Sequence, residues 1–157
     1  MKITFLVIGK TDEAYLREGI EKYLKRLKHY IAFQHLEIPD LKNTKHLNEA
    51  EQKSKEAELI LKQLKPNDQL ILLDENGEEF SSEGFATYLN KKMLASVQNL
   101  VFVVGGPYGF DKSMYQKANG KISLSRMTFS HQMVRLFFVE QVYRAFTILK
   151  GEPYHHQ

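Results

Sequence analysis

The stretch that decides the fold of this chain is NLVFVVGGPYGF, residues 99–110, together with SLSRMTFSHQMVRLFFVEQVYRAFTILK, residues 123–150. The first segment predicts a buried strand that runs directly into a Gly-Gly-Pro turn. The second predicts the end of a short strand, an apolar loop and a long helix. In open α/β sheets, ligands bind at the carboxyl ends of the strands. We therefore expect the functional site between these two segments.

Strand and helix patterns alternate along the whole chain. The predicted strands are residues 2–9, 33–38, 69–74, 99–104 and 121–124, and the predicted helices are residues 14–29, 47–64, 82–96, 111–117 and 133–150. Asp12 is expected to cap the first helix, Ser81 or Ser82 the third, and residues 75–78 are expected to form a turn. The alternation predicts an α/β fold in one domain, 1–157, with a mostly parallel sheet and helices on both faces.

Composition excludes several classes of site. The chain has 157 residues and no cysteine, so it has no disulfide framework, thiolate nucleophile or cysteine zinc site. We expect no metal, because His155-His156 has no third ligand at a known spacing. The apolar runs are shorter than a signal peptide or membrane span requires, which favours a cytoplasmic protein. A net charge of +3 permits a nucleic-acid partner without requiring one.

The pair Gly105-Gly106 would let a ligand approach the main chain closely, because no Cβ stands in the way. The segment is neither a Walker A loop nor the dinucleotide fingerprint, since the required Lys-Ser/Thr or glycine spacing is missing. A tight strand-to-helix turn explains a Gly-Gly-Pro sequence equally well.

The loop after the fifth strand carries three large apolar residues, Leu124, Met127 and Phe129. Loops are usually polar because they lie at the surface. Apolar loop side chains must therefore pack either against the final helix or against a ligand. A flat heterocycle held between such side chains, with its edge read by the main chain, would fit this pattern.

The final helix carries four consecutive apolar residues, 136–139, so apolar groups face most of its circumference. One side can pack on the sheet, and the other predicts contact with a second copy of the chain, a homodimer. Arg135, Glu140 and Arg144 interrupt this helix, and such charges must be paired or lie at a site. The first helix has a basic face, Lys22, Lys25, Arg26 and Lys28, which is either solvated or binds phosphates.

Three motifs together carry a resemblance: Gly-Gly-Pro-x-Gly at 105–109, Leu-Ser-x-Met-Thr-Phe-x-His at 124–131, and Pro-Tyr-His at 153–155. The combination resembles the SPOUT class of RNA methyltransferases, and is similar to its small H-type family of ribosomal large-subunit pseudouridine N3-methyltransferases. The likeness extends over the whole chain. It implies a C-terminal trefoil knot, which pattern reasoning would not propose, and an obligate homodimer.

The resemblance also implies S-adenosylmethionine as the cofactor. The residues implied to bind it are Leu73, Gly105, Leu124, Ser125, Arg126, Met127, Thr128 and Phe129. For the chemistry, the candidates are Arg144 and His155, with Tyr154 as a stacking or orienting group. An arginine can contribute only by stabilising developing negative charge.

The implied substrate is N3 of a pseudouridine in 23S rRNA, in the hairpin near the decoding centre of the assembled 70S ribosome; no DNA and no membrane are expected. The basic face of the first helix, with Arg135 and Arg144, is expected to contact rRNA phosphates. His156 and Gln157 stand where similar proteins often have a basic residue, which would weaken the tail's hold on RNA.

Two other functions fit the sequence. The first is a methyltransferase of the same fold that acts on another RNA such as tRNA. The second is a non-enzymatic ribosome- or nucleotide-binding module whose Gly-Gly turn is only structural. Binding of S-adenosylmethionine separates the second from both enzymes, and the range of RNA substrates separates the enzymes from each other.

Overall fold

Five parallel strands form one sheet in the computed structural model, which describes residues 1–156. The strands are β1 (Lys2–Ile8), β2 (Ala32–Ile38), β3 (Gln69–Glu79), β4 (Asn99–Val104) and β5 (Gly120–Ser123), in the order β2-β1-β4-β3-β5. Every pairing between neighbouring strands is parallel. The continuous apolar runs of β1 and β4 are buried because both strands are central. The predicted parallel sheet is confirmed.

Helices cover both faces of this sheet. They are α1 (Ala14–Leu27), α2 (Glu49–Leu61), α3 (Ser82–Leu94), α4 (Lys112–Lys117) and α5 (Met133–Leu149). The core on one face joins α1, α3 and α5, and the core on the other joins α2 and α4. The prediction of helices on both faces is confirmed, and the trefoil knot stays a prediction.

The predicted turn at residues 75–78 is wrong, because β3 continues to Glu79 and pairs with β5 a second time. Its register shifts between Leu73 and Glu78, both of which lie opposite Ile122. Gly77 packs against the main chain of β5 here: a Cβ at this position would lie 2.5 Å from the carbonyl carbon of Ile122. The sequence Glu-Asn-Gly-Glu is typical of a turn, and only the contact with β5 makes it part of a strand.

Most of the predicted helix starts are close to those observed. Ser81 caps α3 by accepting from Gly84 N, in agreement with one of the two expected caps. Asp12 does not cap α1, because the residue at that position is Glu13, which makes no side-chain capping bond. Instead, the main chain of Asp12 receives a bond from Arg17 and donates one to Gln132, so this loop is tied to the start of α5.

Arg135 is one of the most buried side chains, with 1% of its surface exposed. Its guanidinium donates to the carbonyl oxygens of Ile8 at 2.8 Å and Gly9 at 2.9 Å. It also donates to the carbonyl of His131 at 3.1 Å, and lies 3.6 Å from the Glu37 carboxylate. The expectation that Arg135 contacts rRNA phosphates is therefore wrong. The hydrogen-bond donors of Arg135 instead connect α5 to the end of β1.

Within residues 1–156 no helix is both long and apolar enough to cross a membrane. In the same part of the chain, no three His, Asp or Glu side chains are grouped so that they could hold a metal ion.

Candidate functional site

A cavity of about 700 Å³ opens at the carboxyl ends of β4 and β5, beside the middle of β3 where its register shifts. This is the edge of the sheet at which α/β proteins bind ligands. The lining residues are 73–76 from β3, 104–110 from the Gly-Gly turn, 123–125 and 127–131 from the loop after β5, and Val134, Lys53 and Tyr115 from three helices. The Gly-Gly turn and the apolar loop thus meet in one concave site, as the sequence predicted.

The apolar part of the cavity is formed by Leu73, Val104, Leu124 and Phe129. The loop that carries the last two is held by short hydrogen bonds. Ser123 donates to the carbonyl of Ser125 at 2.8 Å, and the Ser125 hydroxyl accepts from the amide of Met127 at 2.9 Å. These bonds hold the loop main chain beside the cavity, where its remaining polar groups can read a ligand.

The Gly-Gly turn closes on itself, because the amide of Gly109 donates to the carbonyl of Gly106 at 3.1 Å. A Cβ on Gly106 would lie 2.6 Å from the carboxylate of Glu56, which is buried behind the turn. The Glu56 side chain therefore packs closely against Gly106, and a larger residue there would have to displace this carboxylate. The turn thus has a structural reason for a glycine as well as the ligand-related one that the sequence suggested.

Polar groups also line the cavity. The hydroxyl of Tyr115 donates to the carboxylate of Asp74, which also accepts from the amide of Asn76 at 2.8 Å. Burial, followed by the bond to Asp74, raises the pKa of Tyr115 to about 12. Tyr115 therefore remains a hydrogen-bond donor at neutral pH and orients Asp74 at the cavity wall.

Seven of the eight residues expected to bind the cofactor line this cavity: Leu73, Gly105, Leu124, Ser125, Met127, Thr128 and Phe129. Arg126 does not line it. Its side chain is 89% exposed and lies 3.2 Å from Glu79. Sequence reasoning missed Lys53 and Tyr115, because single polar residues on two different helices carry no spacing signal. The binding roles of all these residues stay predictions.

The three residues expected to carry the chemistry also come together, around Glu140. Arg144 donates to Glu140 at 2.5 Å, and the Tyr154 hydroxyl donates to the same oxygen at 2.9 Å. Arg144 also lies 3.1 Å from Nδ1 of His155. Since an arginine can only donate, this nitrogen accepts and the ring hydrogen is on Nε2. That Nε2 is buried and has no hydrogen-bond partner among residues 1–156.

This cluster, which we call the tail cluster (Glu140, Arg144, Tyr154 and His155), does not line the cavity of its own chain. The guanidinium of Arg144 stacks over the ring of Tyr154 at 4.8 Å. Burial and the hydrogen bonds with Tyr23 and Glu140 raise the pKa of Tyr154, so its phenol is protonated at neutral pH. The residues expected to bind the cofactor therefore lie together at the cavity, and the residues expected to carry the chemistry lie together in the tail cluster. The two groups do not share one site within the chain.

The C-terminal segment is docked onto α1 and α5. Tyr30 donates to the carboxylate of Glu152 at 2.7 Å, and the ring of Tyr154 packs on that of Tyr143 at 4.7 Å. The bond to Glu152 is the first cause that raises the pKa of Tyr30, from 10.0 to about 12. The segment is thus held by specific contacts rather than lying free in solvent.

Replacing Tyr30 with phenylalanine is expected to flatten the loss of stability at alkaline pH. Between pH 10.0 and about 12, the native state keeps the Tyr30 proton while the unfolded state loses it. The free energy of unfolding therefore falls as pH rises through this window, and the contribution of Tyr30 is complete only below it. The free energy of unfolding is measured by urea denaturation at several pH values across this range. It should fall less steeply with pH for Tyr30→Phe than for the parent. Exposed Tyr15→Phe is the control, and equal slopes for Tyr30→Phe and the parent would contradict the assignment.

The basic face of α1 is partly exposed. Lys22, Lys25 and Lys28 are exposed, whereas Arg26 is half-buried and packs over the rings of Tyr23 and Tyr143, at 5.5 and 5.4 Å. The three lysines are free to contact an anionic partner, while Arg26 also supports the aromatic packing under the tail.

One side of α5 remains uncovered. Phe137 is 40% exposed, and its ring packs on that of Phe129 at 5.0 Å, beside the cavity. Met127, in the same loop as Phe129, is 77% exposed. Two large apolar side chains, Phe137 and Met127, are thus exposed to solvent beside the cavity.

Comparisons with known proteins give matches over the whole length of the chain. Residues 1–155 match the model of a family described as predicted SPOUT methyltransferase. The chain is 62% identical over 157 residues to proteins named ribosomal RNA large subunit methyltransferase H from Parabacteroides distasonis and Flavobacterium johnsoniae, with 100% of each chain covered. A protein of the same name from Cytophaga hutchinsonii is 58% identical over 156 residues, covering 99% of this chain and 100% of the relative.

Proposed function

The chain belongs to the SPOUT methyltransferase family, and from this premise we propose that it transfers a methyl group from S-adenosylmethionine to N3 of a pseudouridine in 23S rRNA. The observation that carries the proposal is the cavity at the carboxyl ends of β4 and β5 and beside the middle of β3, which seven of the expected cofactor residues line. The full-length likeness to proteins named as large-subunit rRNA methyltransferases supports rRNA as the substrate.

The residues of the cavity fit this cofactor. Leu73, Val104, Leu124 and Phe129 offer apolar surfaces for a flat heterocycle, and the glycines of the turn admit its edge close to the main chain. Charged groups of both signs, Lys53 and Asp74, are available for a ligand that carries both an amino and a carboxylate group. The volume of about 700 Å³ lies within the range of small-molecule sites.

When bound, S-adenosylmethionine would supply an electrophilic methyl group for N3, and the imide proton would pass to solvent water. The chain's contribution is mainly to hold the two reactants in line. Arg144 and the Nε2–H of His155 are donors that would stabilise negative charge on the deprotonated imide. Tyr154, protonated at neutral pH, would orient Arg144 through stacking and through their shared bonds to Glu140.

A homodimer is part of the proposal. The tail cluster does not line the cavity of its own chain, so a second copy would have to bring this cluster to it. The uncovered side of α5, with Phe137 and the neighbouring Phe129, is apolar enough to form the interface. We propose that the dimer acts in the cytoplasm on the assembled 70S ribosome, at the hairpin near the decoding centre.

The experiment that tests the function combines binding and transfer. Calorimetry measures the affinity of the protein for S-adenosylmethionine. Labelled cofactor is then offered with 70S ribosomes from cells lacking this activity, with free 23S rRNA, and with tRNA. Label in pseudouridine of intact ribosomes is the expected result. Label in tRNA alone would show that the enzyme acts on tRNA instead of rRNA. If the protein does not bind S-adenosylmethionine, it is a non-enzymatic binding module.

Reversing the exposed charges of α1 is expected to weaken methylation of ribosomes and leave cofactor binding unchanged. The variant replaces Lys22, Lys25 and Lys28 by glutamate and keeps Arg26, which packs on Tyr23. Removing the interaction of one lysine with a phosphate should reduce the slope of log affinity against log salt by about 1. Ribosome binding measured at several salt concentrations gives this slope directly.

The matched control reverses three exposed lysines on the other face of the sheet, Lys55, Lys62 and Lys65. It changes the net charge by the same amount and therefore removes the same long-range attraction. If both triple variants bind ribosomes equally well, α1 makes no specific phosphate contacts.

A further inference from the structure

The carboxylate of Asp74, which lines the large cavity, is held in one orientation by two donors. Its Oδ1 accepts from the amide of Asn76 at 2.8 Å, and its Oδ2 accepts from the hydroxyl of Tyr115. An ionised carboxylate offers about four lone-pair positions in all, two on each oxygen. One acceptor position therefore remains on each oxygen of Asp74, and the two lie side by side.

Tyr115 is itself held in place. Its ring packs edge-on against that of Phe110, with the centroids 6.0 Å apart, and the ammonium of Lys121 lies 5.5 Å from the centre of the ring. Tyr115 belongs to α4, which packs on the face of the sheet opposite to α5. The dimer interface proposed on α5 therefore does not include Asp74 and Tyr115.

Asp74 also stands next to the apolar wall of the cavity. It directly follows Leu73, one of the residues that offer an apolar surface to a flat heterocycle, and consecutive Cα atoms are about 3.8 Å apart. Val104 pairs with Leu73 across the sheet, and the residue after it, Gly105, has no side chain that could stand between Asp74 and a ligand. The part of a ligand that lies beside Asp74 is therefore the part attached to the ring.

In a nucleoside, the group attached to the ring is the sugar. Ribose carries two neighbouring hydroxyl groups, which are two donors side by side, and the free acceptor positions of Asp74 match them. Hydrogen bonds to an ionised acceptor are stronger than those between neutral groups. An acidic side chain binds a ribose hydroxyl in the same way in dinucleotide-binding folds.

From these contacts we propose that Asp74 binds the ribose hydroxyls of S-adenosylmethionine, and that Tyr115 is the positioning residue that orients Asp74. The inference rests on the proposed function, because it takes S-adenosylmethionine as the ligand of the large cavity. It makes Asp74 the residue that selects a ribonucleoside over a deoxynucleoside. The amino group of the methionine part is then left to Glu75, the other carboxylate that lines the cavity.

The test measures binding by calorimetry for S-adenosylhomocysteine, the product of methyl transfer, and for its 2′,3′-dideoxy analogue. The parent should bind the analogue roughly 100-fold more weakly, since each of two charge-assisted hydrogen bonds contributes roughly 10-fold. Asp74→Asn keeps the size of the side chain and replaces one acceptor oxygen by a donor nitrogen. We expect its preference for the ribose form to fall to roughly 10-fold or less.

Glu78→Gln is the matched control, because Glu78 is an exposed carboxylate of the same strand and does not line the cavity. It removes the same charge and should keep the parent's preference for ribose. Tyr115→Phe removes only the bond that orients Asp74, so its preference should lie between those of the parent and Asp74→Asn. Unfolding midpoints of all variants show that each is folded.

The proposal is overturned if Asp74→Asn keeps the parent's preference for ribose. It is also overturned if Asp74→Asn loses affinity for S-adenosylhomocysteine but binds 5′-methylthioadenosine, which has no amino-acid part, as tightly as the parent does. In that case Asp74 binds the ammonium group. A parent that prefers the ribose form but methylates no RNA would support the ribose site and overturn the proposed function alone.

Discussion

Replacing Arg135 with methionine is expected to lower the free energy of unfolding by about 3–5 kcal/mol, the cost of breaking a buried charge network on one side. The guanidinium satisfies the carbonyls of Ile8, Gly9 and His131, which lie at the end of β1 and in the loop before α5. Without it, the buried carbonyls of Ile8 and Gly9 lose their donor, and each unsatisfied group costs about 1–3 kcal/mol.

Chemical denaturation of the parent and the variant measures this loss. Arg126→Met is the matched control, because the Arg126 side chain is 89% exposed and surface changes are usually within about 0.5 kcal/mol. Arg135→Lys should recover only part of the stability, since an ammonium cannot reproduce the planar fork that reaches three carbonyls. A loss below about 1 kcal/mol for Arg135→Met would show that the network contributes little.

Replacing Gly77 with alanine is expected to impair both stability and cofactor binding. The new Cβ would lie 2.5–2.7 Å from main-chain atoms of Ile122, so β3 and β5 must move apart. Overpacking of this kind costs about 1–3 kcal/mol. Since β5 leads directly into Leu124 and the loop that lines the cavity, we expect the affinity for S-adenosylmethionine to fall roughly 10-fold or more.

Gly120→Ala provides the control in the same pair of strands. Its Cβ would make only an ordinary contact, 3.4 Å from the side chain of Ile71, and alanine is less costly than glycine in a strand. Calorimetric titration and thermal unfolding of both variants separate the two positions. If Gly77→Ala binds the cofactor as tightly as Gly120→Ala, the second pairing of β3 with β5 does not support the loop.

Much of the cavity at the ends of β4 and β5 could be predicted because its residues are close together in the sequence. The glycines at 105–106 and the apolar loop at 124–129 each produce a local pattern, and each follows a buried strand. The position of a strand's end determines which edge of the sheet the loop occupies. Lys53 and Tyr115 could not be predicted, because each contributes one polar side chain from a separate helix.

The amino-acid sequence by itself determined the order of the strands and helices, the parallel sheet and the two loops of the cavity, since these depend on hydrophobic periodicity and turn residues along short stretches. Only the tertiary structure decided that Arg135 is buried and that Gly77 lies within a strand. Arg135 binds a carbonyl 126 positions away in the sequence, and Gly77 contacts Ile122 across the sheet. Local patterns carry no information about such contacts, because the partner of a buried charge, or the backbone that touches a glycine, is set by how distant elements pack.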